Sequence, residues 1–176
     1  CIAIIPARFT STRFPGKLLA SVAGRPLIRH VVESVCRVEG IDATIVATDD
    51  ERIGEAARES GVDVVLSGGE FASGTDRVAD AASRYSAEII VNVQGDELLL
   101  DSAAVAGALD CFRDSATELG TLRAPLKERR DLWDPNAVKV VIDDNEQALY
   151  FSRAAVPFPR SEWQATVDMS TAESIV

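Results

Sequence analysis

The feature that most constrains this chain is an alternation. Four short, largely apolar and β-branched runs, Ile2 to Ile5, Ala43 to Thr48, Val62 to Leu66 and Glu88 to Val93, are separated by stretches whose apolar residues recur at helical spacing. Uninterrupted apolar runs of this length suit strands covered on both faces, and strands alternating with helices build a parallel sheet. Behind Pro26, which suits a first helical turn, Leu27, Ile28, Val31, Val32 and Val35 mark one helix. Asp49 or Asp50 is placed to cap the next, with Ile53, Ala56 and Ala57 on its inner face. The turn Ser67-Gly68-Gly69 leads to Ser73-Gly74-Thr75, which opens a helix through Val78, Ala79, Ala82 and Tyr85. Its N-terminus could hold an anion or a base edge, although Thr75 acting as a cap explains the residues equally well. Asp101 starts a further helix through Val105, Leu109 and Phe112. Strand-like runs follow at Leu119 to Ala124, Ala137 to Ile142 and Ala148 to Phe151. The last two flank the short polar turn Asp143-Asp144-Asn145-Glu146, so part of the sheet is expected to be antiparallel.

Between the first strand and the first helix lies Pro6-Ala7-Arg8-Phe9-Thr10-Ser11-Thr12-Arg13-Phe14-Pro15-Gly16-Lys17. Arg8, Arg13 and Lys17 together suit a triphosphate, arginine by a planar fork and lysine as a point charge. Ser11, Thr12 and Gly16 leave backbone N–H groups accessible for an anion, and Pro15 stiffens the turn. A solvated basic loop is the plainer reading, and the overall charge pattern weighs against it. The chain has 18 basic and 28 acidic residues, yet its first 32 residues hold five cations and no carboxylate. A focused positive mouth on a negative body attracts a small anion better than DNA, so no nucleic-acid partner is expected. The P-loop pattern fails, because it requires Gly at 11 and Ser or Thr at 18, where Ser11 and Leu18 stand; no GxGxxG occurs.

With 176 residues and 47% hydrophobic content the chain can bury one good core. Cys1, Cys36 and Cys111 are odd in number and widely spaced, so they read as free thiols filling the core of a cytoplasmic protein. No apolar run approaches the roughly 20 residues of a membrane span, and no secretory leader is expected. A few residues before Cys1 are expected to be missing. His30, the single histidine, has no ligand or catalytic partner at a suitable spacing and reads as structural. Asp96, directly after the fourth strand, falls where open α/β sheets bind ligands. Turn capping is an equal alternative for it.

Taken together, these motifs resemble the nucleotide-sugar cytidylyltransferases, and most closely the 3-deoxy-manno-octulosonate (Kdo) cytidylyltransferase family. Ile4-Ile5-Pro6-Ala7-Arg8, Ser11-Thr12-Arg13 and Pro15-Gly16-Lys17 are similar to its CTP loop, and Val46-Ala47-Thr48-Asp49 to its second strand. Ser73-Gly74-Thr75-Asp76-Arg77 resembles its SGT[DE]R element, and Asn92-Val93-Gln94-Gly95-Asp96-Glu97 its metal motif. The segments Asp134 to Val141 and Ala148 to Arg153 resemble its sugar side. Leu98 stands where the family usually has proline, which is expected to loosen that turn.

The resemblance implies an α/β, Rossmann-like three-layer nucleotidyltransferase fold, with a mostly parallel central sheet and an antiparallel hairpin portion. Its core would be residues 1–160. The tail 161–176 would end the same domain after a long family segment that is deleted here or skipped between Trp163 and Val167. It further implies an enzyme that joins CTP to Kdo, releasing CMP-Kdo and pyrophosphate, in lipopolysaccharide biosynthesis. Arg8, Arg13, Lys17 and Asp96 would be catalytic. Ala7, Arg8, Ser11, Arg13, Lys17, Ser73, Gly74, Thr75 and Arg77 would bind CTP; Gln94, Tyr150, Ser152 and Arg153 would bind the sugar. Mg²⁺ would be the cofactor, held by Asp96 and Asp168, and the protein would be a homodimer. A CTP-binding remnant without turnover, or an enzyme for another acidic sugar such as sialate, are the alternatives.

Overall fold

The computed structural model describes residues 1–10, 14–69, 71–113 and 117–157. The junction from Trp163 to Val167 lies outside the described residues. Two compact units divide the chain, Cys1–Leu122 and Arg123–Val176.

In the first unit the four apolar runs form one parallel sheet. Its strands are β1 (Ile2–Ala7), β4 (Ala43–Thr48), β5 (Asp63–Leu66) and β6 (Ile90–Asn92), in the order β5-β4-β1-β6. The short strands β2 (Ser21–Val22) and β3 (Arg25–Pro26) pair separately as an antiparallel ribbon. β1 is central, and its alternating side chains enter two different cores. Ala3, Ile5 and Ala7 meet α1 (Leu27–Val35) and α2 (Glu51–Arg58) through Val31, Val32, Val35, Ile53 and Ala57. Ile2 and Ile4 face the opposite layer, where α3 (Gly74–Ala82) brings Val78 and Ala81. This is why the run is continuously apolar: both faces are covered, and each fully buried isoleucine contributes about 1.5–3 kcal/mol. α4 (Ser102–Arg113) adds Val105 and Leu109 around Val38.

Helix starts follow local chemistry. The first amide of α1 donates to the Ala20 carbonyl at 3.0 Å, since Pro26 offers no side-chain cap. Asp50, not Asp49, caps α2, accepting from the Arg52 amide at 3.0 Å. The side chain of Arg52 binds the same carboxylate, and it is the main cause holding the Asp50 carboxyl below its ordinary value. For α3 the cap offered as an alternative, Thr75, is not the one used: Ser73 caps, accepting from the Asp76 amide while the Asp76 carboxylate accepts from the Ser73 amide. Ser73 wins because it lies three residues before an acidic side chain, the reciprocal capping spacing. Asp101 accepts from the amides of Ala103 and Ala104, as anticipated for α4.

The second unit carries the antiparallel hairpin of β7 (Lys139–Ile142) and β8 (Ala148–Ser152), which forms a sheet of its own. Its turn is held by Asp143, whose Oδ1 accepts from the amides of Asn145 and Gln147, both at 2.8 Å.

Two expectations are corrected. Leu119 to Ala124 is not a strand; among the described residues no strand pairs with it, and Leu119 and Leu122 are exposed. The run spans the boundary between the units, contains Gly120 and ends at the donorless Pro125, so its β-propensity has nothing to pair against. Cys36 and Cys111 are free but exposed rather than core filler, because each falls on a solvent-facing position near a helix end. The Leu98 amide donates to the Asp96 carbonyl at 3.0 Å, a bond proline could not make, and its side chain packs on the main core. His30 is structural as expected: its Nε2 donates to the Val22 carbonyl at 2.8 Å. Among the described residues, no helix is long and apolar enough to cross a membrane.

Candidate active site

The cationic loop leaves β1 after Ala7 and closes on itself. The Gly16 amide donates to the Phe9 carbonyl at 2.9 Å, and Gly16 has a left-handed φ of 71°. A Cβ at Gly16 would come within 3.0 Å of the Phe9 ring, so both backbone conformation and space require glycine here. Lys17 then begins a 3-10 turn, Lys17–Leu19, whose Leu18 is buried in the core. That anchor fixes the direction of Lys17. Its Nζ donates to Asp96 Oδ2 at 2.8 Å, across 79 residues of sequence.

Asp96 reaches this position because Gly95 lies directly against β1. A Cβ on Gly95 would meet the Pro6 carbonyl oxygen at 2.9 Å and Leu18 at 3.3 Å. The Lys17–Asp96 pair is half-exposed, with side chains 42% and 52% accessible. Arg8 is also exposed, beyond buried Ala7, whose side chain cannot reach a ligand; Ala7 offers only its main chain.

Beside this pair, the start of α3 meets the ends of β1 and β6. A Cβ on Gly74 would lie 3.4 Å from the Pro6 ring and 3.8 Å from Gln94 Oε1. Gln94 donates to Asn92 at 3.2 Å, and Asn92 reaches Thr75 Oγ1 at 3.5 Å. The amides of Gly74 and Thr75 have no intrahelical partner, which suits an acceptor-rich ligand. Arg77 differs from its neighbours. It is 6% exposed, and its guanidinium donates to both the carbonyl and the hydroxyl of Ser67 and to Asp49 Oδ2.

In the second unit, Tyr150 is exposed on β8 and Ser152 Oγ donates to the Ala154 carbonyl at 3.1 Å. Arg153 donates to the Pro135 carbonyl at 2.7 Å. Lys139, buried at 3% exposure, donates to the carbonyls of Asp134, Ala137 and Arg153 at 2.7–2.8 Å.

The sequence model of the cytidylyltransferase family matches residues 2–173. The chain belongs to the cytidylyltransferase family. It is 47% identical over 171 residues to the 3-deoxy-manno-octulosonate cytidylyltransferase of Geobacter sulfurreducens, covering 97% of this chain and 68% of that one. The protein of the same name from Trichlorobacter lovleyi is 46% identical over 168 residues, covering 95% and 67%. The chain thus spans about two thirds of the length of these relatives. A solved CMP:2-keto-3-deoxy-manno-octonic acid synthetase in complex with CTP superposes with a TM-score of 0.82 at 30% identity, over 99% of this chain and 82% of that one. A 4-diphosphocytidyl-2C-methyl-D-erythritol synthase, at 20% identity and a TM-score of 0.59, shares the fold.

In this cytidylyltransferase, Lys17 and Asp96 are brought into direct contact, and Gln94, Gly74 and Thr75 gather beside Pro6 in the same unit. Tyr150, Ser152 and Arg153 belong to the other unit. Ser11, Arg13 and Asp168 lie outside the described residues. Among the described residues, no group of three or more His, Cys, Asp or Glu side chains could hold a metal ion by itself. Sequence reasoning gave no site role to Asp49 or Lys139. The signal for Asp49 was available, because it follows a parallel strand at its carboxyl end. Lys139 gave no such signal, since its three acceptors are backbone carbonyls.

Proposed function

We propose that this chain transfers the cytidylyl group of CTP to the anomeric hydroxyl of 3-deoxy-manno-octulosonate, releasing pyrophosphate. The observation that carries the reading is the Lys17–Asp96 contact at the carboxyl ends of the parallel strands, where a cation and a hard oxygen donor stand side by side. The relatives named above share this substrate in their names. In the reaction the sugar hydroxyl attacks the α-phosphorus in line, and the bond to the pyrophosphate oxygen breaks; positioning and charge neutralisation are the main requirements. Arg8, Arg13 and Lys17 hold the triphosphate and take up the charge that grows on the leaving pyrophosphate. The exposed carboxylate of Asp96, already beside a cation, fits Mg²⁺, which together with phosphate oxygens and Asp168 would supply further neutralisation. Gly74 and Thr75 face the cytosine through their free amides. Gln94, Tyr150, Ser152 and Arg153 receive the sugar, where an arginine answers its carboxylate. We assign the protein to lipopolysaccharide biosynthesis in the cytoplasm, as a homodimer.

The test is pyrophosphate release from CTP, Kdo and Mg²⁺, with sialate as competing sugar and calorimetry of CTP alone. Release with Kdo and not sialate is expected. Absence of product despite CTP binding would overturn the catalytic reading, and preference for sialate would overturn the sugar.

A further inference from the structure

We infer that Arg77 serves CTP binding as a positioning residue, by holding Asp49 against the Phe9 amide and so fixing the start of the cationic loop, rather than by touching the nucleotide. The inference rests on the CTP site proposed above and deepens it.

A guanidinium remains charged at all relevant pH, so a buried one must keep its acceptors. Arg77 is 6% exposed and directs Nη1 at the Ser67 carbonyl and hydroxyl, 3.3 and 3.2 Å away. Its Nη2 donates to Asp49 Oδ2 at 2.8 Å, and the Phe71 ring lies 4.9 Å from the guanidinium carbon. It is thus held among the ends of β4, β5 and α3 with little surface for a ligand.

Asp49 has a second oxygen, and it does different work. Oδ1 accepts from the Phe9 amide at 3.4 Å. Phe9 is where the cationic loop is tied at several points. Its carbonyl accepts the Gly16 amide that closes the loop, its ring lies against Gly16, and the Arg52 guanidinium stacks 4.0 Å from the ring centroid. Arg8 and Lys17 flank these two tied positions. One carboxylate therefore connects a buried, immobile cation to the residue that sets where the triphosphate-binding cations point. Loss of that link frees the Phe9 amide while leaving every loop cation in the sequence. A preorganised loop has less order to gain on binding, so the expected consequence is weaker CTP binding.

Asp49→Asn tests the link with almost no change of shape. Asparagine has one acceptor atom where Asp49 serves two donors; the buried guanidinium, which makes the shorter bond and must keep its acceptors, retains it, and the Phe9 amide loses its partner. Measured without nucleotide, exchange of the Phe9 amide should accelerate about ten-fold or more in Asp49→Asn and Arg77→Lys, while that of Ile4 and Ile45 stays within two-fold. KM for CTP should rise about ten-fold in both variants, more than kcat falls, with the preference for CTP over UTP retained. The double variant should be no worse than the worse single one. Unaltered Phe9 exchange in Asp49→Asn would overturn the inference. So would loss of the CTP preference in Arg77→Lys alone, which would mean direct contact with the base. Should Arg77→Lys fail to fold, Asp49→Asn still decides. Wild-type protein that bound no CTP would overturn the proposed activity and the nucleotide half of this inference, whereas the exchange measurement would still decide the Arg77–Asp49–Phe9 link.

Discussion

Replacing Lys139 by methionine keeps the length and most of the volume of the side chain and removes its charge. The ammonium is 3% exposed and donates to the carbonyls of Asp134, Ala137 and Arg153 at 2.7–2.8 Å, so methionine leaves three acceptors without that partner. A hydrogen bond to a charged group contributes about 1.5–3 kcal/mol, so the gross loss over three is large. Against it stands the cost of burying an ammonium, several kcal/mol, which methionine does not incur. Each carbonyl left without a partner costs about 1–3 kcal/mol, and the relieved desolvation of the ammonium offsets part of the sum, for a net cost of about 3–5 kcal/mol. At about 1.4 kcal/mol per factor of ten, that opens the hairpin about two to three and a half orders of magnitude more often. Amide exchange at Val140 and Phe151, which pair across the hairpin, reads this directly. Because one orphaned carbonyl belongs to Arg153, KM for the sugar should rise more than KM for CTP. Exchange within five-fold of wild type would refute the reasoning, and would mean that the desolvation cost cancels the three bonds.

Asp96→Asn should lower turnover about 100-fold or more at saturating Mg²⁺ in a pyrophosphate assay, while Tm moves little because a half-exposed ion pair is worth about 0–1 kcal/mol. Gly95→Ala should destabilise by about 1–3 kcal/mol in chemical denaturation and reduce kcat, since its Cβ would press on the Pro6 carbonyl and push Asp96 away from Lys17. Asp143 is held below its ordinary carboxyl value of 3.8, first by the Gln147 amide and then by Asn145, with partial desolvation opposing. A depressed folded pKa means that the unfolded chain binds the proton more readily, so the contribution is present above about pH 4 and fades as pH falls below it. Denaturation between pH 2 and 6 should therefore show a shallower acid loss in Asp143→Asn than in wild type.

The parallel sheet was legible because burial on both faces writes itself as unbroken apolar sequence. Ile2 to Ile5 and Ala43 to Thr48 needed no partner to be recognised, since their helices cover them wherever they fall. Leu119 to Ala124 has the same propensity and no pairing strand among the described residues, and pairing is a property of the whole fold. The cap of α3 failed by two residues because Ser73 and Thr75 are both good caps; the deciding signal was the acidic residue three positions after Ser73. At the site, Lys17 could be placed on the loop after the first strand and Asp96 at the end of the fourth, but not in contact. That depends on Gly95 lying flat on Pro6 and on Leu18 anchoring the turn. Asp49 looked like a capping residue in sequence, and its neighbour took that part.

The charged side chains divide by burial in a way that bears on catalysis. Arg77 and Lys139 are almost wholly enclosed, and their partners are neighbouring backbone carbonyls, one serine and one carboxylate. Exchanging such partners would cost several kcal/mol, so these cations hold geometry and do not trade ligands. Lys17 and Asp96 are paired at a similar distance but half-exposed, where water screens both and the bond is worth about 0–1 kcal/mol. On the proposed reading, a triphosphate would take Lys17 and Mg²⁺ would take Asp96 at small cost in stability. The same contact keeps the two opposite charges side by side. Buried charges thus fix geometry within each unit, while the half-exposed Lys17–Asp96 pair can change partner at little cost, which suits the proposed reaction with its demand for positioning and charge neutralisation.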